Sequence, residues 1–227
     1  LKAKLQEINR RIAQAARACG REPDTIHLVA VSKTMNADRV RLGIEAGVTI
    51  LGENYIQEAR KKIETLGRYP VAWHFIGHLQ TNKAKYAVRM FDLIHTVDSR
   101  KLAAELAKEA GKIGKIQRIL IQVNIGGESS KSGVHPDQAQ TLIEDMSRLE
   151  HLSVQGLMII PPFLDDPEAI RPYFSGCRKL AERIRQAKIP GVSLDELSMG
   201  MTGDFEIAIE EGATLVRIGT AIFGRRK

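Results

Sequence analysis

The chain is poor in the residues that build disulfide scaffolds, metal centres and membrane spans. Its two cysteines, Cys19 and Cys177, lie far apart, with no CxxC pair and no Cys/His cluster at zinc spacing. That excludes a disulfide framework and a structural metal site, and it fits a reducing, cytoplasmic compartment. No apolar run approaches the ~20 residues needed to cross a bilayer. The stretch from Leu1 to Arg21 is amphipathic and charged, without the apolar segment of a signal peptide. Aromatics make up only 5% of the 227 residues, and none are interleaved with basic clusters, so neither a nucleic-acid nor a membrane partner is expected.

An excess of one charge sign is also nearly missing: 34 Lys+Arg stand against 27 Asp+Glu, a net charge of +7. These charges are scattered at helical spacing, which reads as solvated helix faces. Lys61-Lys62 and Arg225-Arg226-Lys227 are the clusters that could meet phosphates. What is present is globular: 43% hydrophobic and 27% charged residues, which excludes a disordered or fibrous chain. No linker rich in Pro, Gly or Ser interrupts the pattern, so residues 1–227 read as one domain, large enough to bury roughly 70% of its unfolded surface.

Short apolar or β-branched runs alternate with stretches whose apolar residues recur every three or four positions. The predicted strands are Ile26 to Ser32, Val48 to Gly52, Ala72 to Ile76, Leu93 to Val97, Ile119 to Asn124, Val154 to Ile160, Glu196 to Met199 and Leu215 to Ile218. Helical stripes lie between them: Val40/Ile44, Leu102/Leu106, Leu142/Met146/Leu149 and Leu180/Ile184. A further helix with Leu5, Ile8 and Ile12 on one face precedes the first strand and stops near Gly20. Runs such as Ile119-Leu120-Ile121 do not alternate with polar residues, as suits parallel strands covered on both faces. The fold class is α/β, and eight βα units point to a closed (β/α)8 barrel with an additional N-terminal helix. An open doubly wound sheet is the alternative.

In such a barrel, function sits at the C-terminal ends of the strands, with phosphate sites favoured after the seventh and eighth. Lys33 ends the first strand, after Leu28-Val29-Ala30-Val31. Apolar surroundings favour the neutral amine that Schiff-base formation with an aldehyde requires. At the other end of the chain, strand seven runs into Ser198-Met199-Gly200-Met201-Thr202-Gly203-Asp204, and strand eight contains Arg217 before Gly219-Thr220. Small residues admit close backbone approach, and the hydroxyls of Ser198 and Thr220 can donate to a dianion. Strands one and eight are neighbours once a barrel closes, so lysine and phosphate cradle together suit a phosphorylated aldehyde. Pyridoxal 5'-phosphate is the obvious ligand of that kind.

Ala30-Val31-Ser32-Lys33-Thr34, Gly52-Glu53-Asn54-Tyr55, His74-Phe75-Ile76-Gly77-His78-Leu79-Gln80-Thr81-Asn82-Lys83, Ser198-Met199-Gly200-Met201 and Arg217-Ile218-Gly219-Thr220 together resemble the YggS/PROSC family of pyridoxal phosphate homeostasis proteins. The resemblance covers nearly the whole chain. It implies a single barrel similar to the alanine racemase N-terminal domain, with Lys33 as the Schiff-base lysine. It also implies that Ser198, Gly219 and Thr220 hold the phosphate, that Arg217 faces the pyridine nitrogen and that Asn54 lies near the ring. Thr202 stands where the family usually has a serine, and a hydroxyl is retained.

An arginine at the pyridine nitrogen cannot accept a hydrogen bond, so it leaves that nitrogen neutral and weakens the cofactor as an electron sink. Two-base racemisation also needs a second proton acceptor. The tyrosines Tyr55, Tyr69, Tyr86 and Tyr173 read as packing residues, and Tyr55 is nearest the mouth. The expected function is therefore a carrier that stores, buffers or delivers pyridoxal 5'-phosphate, possessing no catalytic residue and no metal, with client enzymes that use the cofactor. An amino-acid racemase of low activity is the alternative. A monomer is expected. Lys131, in the loop after strand five, is a candidate second aldehyde contact or gate. His74 and His78 are four apart but flank a strand, so a shared metal is not expected, and His78 reads as a hydrogen-bonding residue of the mouth.

Overall fold

The computed structural model describes residues 1–128, 131–164 and 166–224; of the basic clusters, Arg225-Arg226-Lys227 lies outside them. Helix α1 (Lys2–Ala18) precedes the barrel. The strands are β1 (His27–Val31), β2 (Ile50–Glu53), β3 (Ala72–Phe75), β4 (Leu93–Val97), β5 (Gln117–Val123), β6 (Leu152–Ile159), β7 (Glu196–Ser198) and β8 (Leu215–Ile218). The helices that alternate with them are α2 (Ala37–Glu45), α3 (Ile56–Leu66), α4 (Ala84–Met90), α5 (Arg100–Gly111), α6 (Pro136–Met146), α7 (Arg171–Gln186), α8 (Phe205–Glu210) and α9 (Thr220–Phe223). All strand pairings are parallel, and β1 pairs with both β2 and β8, so the barrel is closed. Closure settles the sequence alternative of an open sheet. Among the described residues no helix is long and apolar enough to cross a membrane.

Period-two alternation divides the apolar residues into two cores. Val29, Leu93, Leu120, Met158 and Leu215 pack with Ile50 inside the barrel. A larger shell, including Ala30, Leu51, Phe75 and Ile94, packs between strands and helices. Each Leu, Ile or Phe fully buried there contributes roughly 1.5–3 kcal/mol.

Helix α1 flanks the barrel beside α8. Leu5, Ile8, Ile12, Ala15 and Ala16 form its buried stripe. Arg11 Nε donates to Glu206 Oε1 at 2.6 Å, and Arg21 Nη1 donates to the carbonyls of Ile209 and Ala213 at 2.8 Å. The first helix and the turn after it are thereby tied to the seventh βα unit.

One correction to the charge reading concerns Lys62. It lies on the buried stripe of α3 with Ile56, Ala59 and Leu66, because its ammonium is paired with an acid inside the protein and not with solvent.

Strands β6 and β7 meet at Gly156, opposite Glu196. A Cβ on Gly156 would lie 1.8 Å from the Glu196 carbonyl oxygen. Gly156→Ala is therefore expected to lower stability by roughly 1–3 kcal/mol, the usual cost of overpacking, measured by urea unfolding. An unchanged midpoint would show that β6 and β7 can separate freely.

Candidate functional site

The C-terminal ends of the strands enclose a cleft of about 730 Å³. On β1 and its extension, Val29 belongs to the inner core, while Val31 and Lys33 line the cleft above it. The intervening Ser32 is fully buried on the opposite face. Asn54 follows β2, and Arg217, Gly219 and Thr220 come from the end of β8. The β7–α8 turn adds Met201 to Asp204, and the β6–α7 loop supplies an apolar rim from Ile160 to Leu164. Phe163 on that rim is 91% exposed.

Five of the six expected cofactor residues, Lys33, Asn54, Arg217, Gly219 and Thr220, meet at this cleft. A Cβ on Gly219 would sit 3.1 Å from the Val31 carbonyl oxygen, so glycine is what lets β8 run this close to β1 just below the mouth. Asn54 Oδ1 is buried with no protein partner among the described residues, an acceptor left for a ligand. Thr202 and Gly203 line the same wall as Gly219 and Thr220.

Ser198 is placed differently from the sequence expectation. It is fully buried and registered with Leu215, two residues deeper than Arg217. Its Oγ accepts from Arg217 Nη1 at 2.6 Å and lies 2.8 Å from His95 Nδ1. The hydroxyl is committed beneath the cleft floor and is not among the groups on its wall.

His95, which the sequence reading did not single out, is the centre of a buried chain. Its Nε2 lies 3.0 Å from His74 Nδ1. Burial pulls His74 down to about 3, assisted by the charges of Arg118 and His27. Burial also holds His95 well below the usual imidazole range, with His74 and Arg217 adding to it. Both rings are therefore neutral at pH 7. Arg217 only donates, so the Ser198 proton has His95 Nδ1 to go to, and His95 Nε2–H then donates to His74. All members are satisfied when the chain runs one way, from Arg217 inward.

Arg217 Nη2 donates to the Ile159 carbonyl at 2.8 Å. Burial draws its guanidinium down to about 10, with Asp204 opposing, so it remains a cation at neutral pH. Asp204 is buried, accepts from Met201 N at 2.5 Å and has its carboxyl pushed up chiefly by burial.

A smaller cavity of about 200 Å³ shares Asn54, Ile76, Lys131 and Ile160 with the cleft and is lined on its other side by His78, Thr96, Gln122 and Ser132. Lys131 stands between the two spaces. Its Nζ lies 2.6 Å from Glu128 Oε1 and donates to the Pro161 carbonyl at 3.0 Å, tying the β5 loop to the apolar rim. His78 is exposed, its Nδ1 3.4 Å from Ser132 Oγ. Among the described residues no group of three His, Cys, Asp or Glu side chains could hold a metal ion. Tyr55 is 55% exposed and stands outside the cleft wall.

A family model described as alanine racemase, N-terminal domain, matches residues 3–227. The pyridoxal phosphate homeostasis protein of Aquifex aeolicus (strain VF5) is 45% identical over 224 residues, covering 99% of this chain and 97% of that protein. This chain belongs to the pyridoxal phosphate homeostasis protein family. Its relative of the same name in Escherichia coli (strain K12) is 40% identical over 225 residues, 98% of this chain and 95% of that one. Among solved structures, PipY of Synechococcus elongatus PCC7942 with PLP bound superimposes with a TM-score of 0.83 at 37% identity, covering 94% of this chain and 100% of PipY. Alanine racemase of Clostridium difficile 630 shares the fold alone, at 13% identity and a TM-score of 0.71, with 96% of this chain matching 56% of that one.

Proposed function

We propose that this member of the family is a carrier of pyridoxal 5'-phosphate that stores, buffers or delivers the cofactor to enzymes that need it. The observation that carries the proposal is the convergence of Lys33, Arg217, Gly219 and Thr220 on one cleft, in a chain whose close structural relative was solved with PLP bound. When bound, the cofactor supplies an aldehyde that condenses reversibly with an amine as a Schiff base, with loss of water.

The residues of the chain divide that task. Lys33 supplies the amine. Thr202, Gly203, Gly219 and Thr220 form the phosphate wall, with Ser198 supporting Arg217 from below. Asn54 offers its orphaned Oδ1 to the ring. Arg217, a donor and never an acceptor, keeps the pyridine nitrogen unprotonated and so disfavours carbanion chemistry. Among the described residues, the proton-transfer groups on the cleft wall are Lys33, Lys131 and Asp204. Lys131 is tied down by its two contacts, and Asp204 by its hydrogen bond to Met201.

Titration with pyridoxal 5'-phosphate is expected to raise a visible absorbance band saturating at one equivalent, and pyridoxal lacking the phosphate is expected to bind far more weakly. Alanine and other amino acids incubated with the loaded protein in deuterated water are expected to keep their α-protons. Rapid α-proton exchange would favour the racemase reading, and no saturable band would end the carrier reading.

Lys131 is proposed as a gate on cofactor exchange, because it ties the β5 loop to the cleft rim. Lys131→Ala is expected to speed transfer of bound cofactor to an apoenzyme by several-fold at unchanged stability. A release rate equal to that of the wild type would remove this role.

A further inference from the structure

The motif Gly52-Glu53-Asn54 sends Asn54 to the cleft, but its glutamate faces the opposite way, into the seam between β1, β2 and α3. There Glu53, with no exposed surface, meets Lys62, whose side chain is 6% exposed. Lys62 Nζ donates to Glu53 Oε1 at 2.7 Å and to the Ser32 carbonyl at 2.6 Å, with Glu58 Oε2 at 3.7 Å. Ser32 Oγ donates to the same Glu53 oxygen at 2.5 Å. On the other side of Lys33, Thr34 N donates to Glu58 Oε2 at 2.8 Å, and Thr34 is held at φ +65°.

This arrangement is a poor way to stabilise a barrel. A buried ion pair loses about as much in desolvation as it gains in attraction, and an apolar pair of similar volume is often as stable or more so. Glu53 Oε2 is buried without a protein partner, a further cost. A β-branched residue in the left-handed region adds strain that persists only where neighbours impose it. Burial outweighs Lys62 and raises the Glu53 carboxyl, so the pair does not rest at an electrostatic optimum. All of these unfavourable features converge on the two residues that flank Lys33, and the carbonyl and hydroxyl on one side and the amide on the other are each gripped by a charged group.

We infer that Glu53, Lys62 and Glu58 are positioning residues that fix the backbone on both sides of Lys33 and thereby aim its amine at an aldehyde bound in the cleft. The inference rests on the reading that Lys33 captures the cofactor aldehyde. None of the three lines the cleft, so they act through Lys33 and not on the ligand.

The test separates aldehyde capture from binding of the rest of the molecule. The rate of visible-band formation with pyridoxal 5'-phosphate and its pH midpoint are measured beside the affinity for pyridoxine 5'-phosphate, which carries an alcohol in place of the aldehyde. Wild type is compared with Glu53→Gln, Lys62→Met, the double variant, Lys62→Arg and Glu58→Gln. The last alters a residue whose side chain is 36% exposed and keeps the test open should the buried variants fail to fold. Capture is expected to slow roughly ten- to a hundred-fold in Lys62→Met, the order that ~1 Å of misplacement produces. It should slow by several-fold in Glu58→Gln and recover in part in Lys62→Arg, while pyridoxine 5'-phosphate affinity stays within about two-fold of wild type by the same geometric argument. Wild-type capture rates and midpoints in the variants, or capture and pyridoxine 5'-phosphate affinity falling together, would overturn the positioning role. No band in wild type itself would instead overturn the reading of Lys33, and the inference with it.

Discussion

Taking the protein from pH 7 to pH 5 is expected to lower its stability, with His74 and His95 together contributing a loss of about 4 kcal/mol, the linkage that follows from two imidazoles kept neutral in the native state. The sign follows from proton counting. In the unfolded chain His74 and His95 bind protons below ~6.5, whereas in the native barrel His74 is held down to about 3 and His95 well below its usual range. Stability present above the unfolded pKa is therefore lost as pH falls, at up to ~1.4 kcal/mol per pH unit for each histidine. Buried Glu53 and Asp204 have raised carboxyl values and act in the opposite direction over windows that run upward from 4.5 and 3.8, so the part of their titration that falls between pH 7 and pH 5 offsets the histidine loss. Urea unfolding at pH 7, 6 and 5 checks the slope. His74→Phe, which removes one of the two groups, should show about half of it. A flat profile in wild type would mean that the buried chain takes up protons without unfolding.

Lys33→Ala is expected to weaken pyridoxal 5'-phosphate binding at least ~100-fold, or about 2.7 kcal/mol, and to abolish the visible band, while pyridoxine 5'-phosphate binding changes little. The variant should also fold normally, because Lys33 is partly exposed at the strand end and belongs to neither core. Because Thr202, Gly203, Gly219 and Thr220 are untouched, a residual phosphate-dependent affinity should survive. If Lys33→Ala still forms a saturable band, another amine of the cleft is the carrier, and among the described residues Lys131 is the other lysine that lines it.

Most of the barrel was legible because each strand is a short apolar run bounded by turn residues. The errors have local causes. The second strand was placed at Val48 to Gly52 but pairs from Ile50 to Glu53. Val48 is buried, but its N–H bonds back to the Gly43 carbonyl in the turn that ends α2. Helix α3 gave no clean stripe because Lys62 occupies an apolar position of its inner face. A lysine breaking a stripe this way is the only signal the sequence carries of the buried pair with Glu53.

The cleft was legible through motifs at strand ends, and its depth was not. Ser198 and Gly219 read alike as small residues of one phosphate cradle, yet the stagger of β7 against β8 places Ser198 opposite Leu215 and Gly219 at the mouth. His95 was hidden inside the run Leu93 to Val97, all five residues of which are buried. A polar residue in a strand covered on both faces must find a partner inside, and which partner depends on contacts across the barrel. Thr202, by contrast, lines the cleft, as its place beside Gly203 in the loop after strand seven already suggests.

The measurement that tests the account most directly is borohydride reduction of the protein loaded with one equivalent of pyridoxal 5'-phosphate, followed by peptide mass mapping. The account predicts a single reduced adduct on the peptide containing Lys33. Adducts spread over surface lysines, or one adduct at another residue, would contradict it.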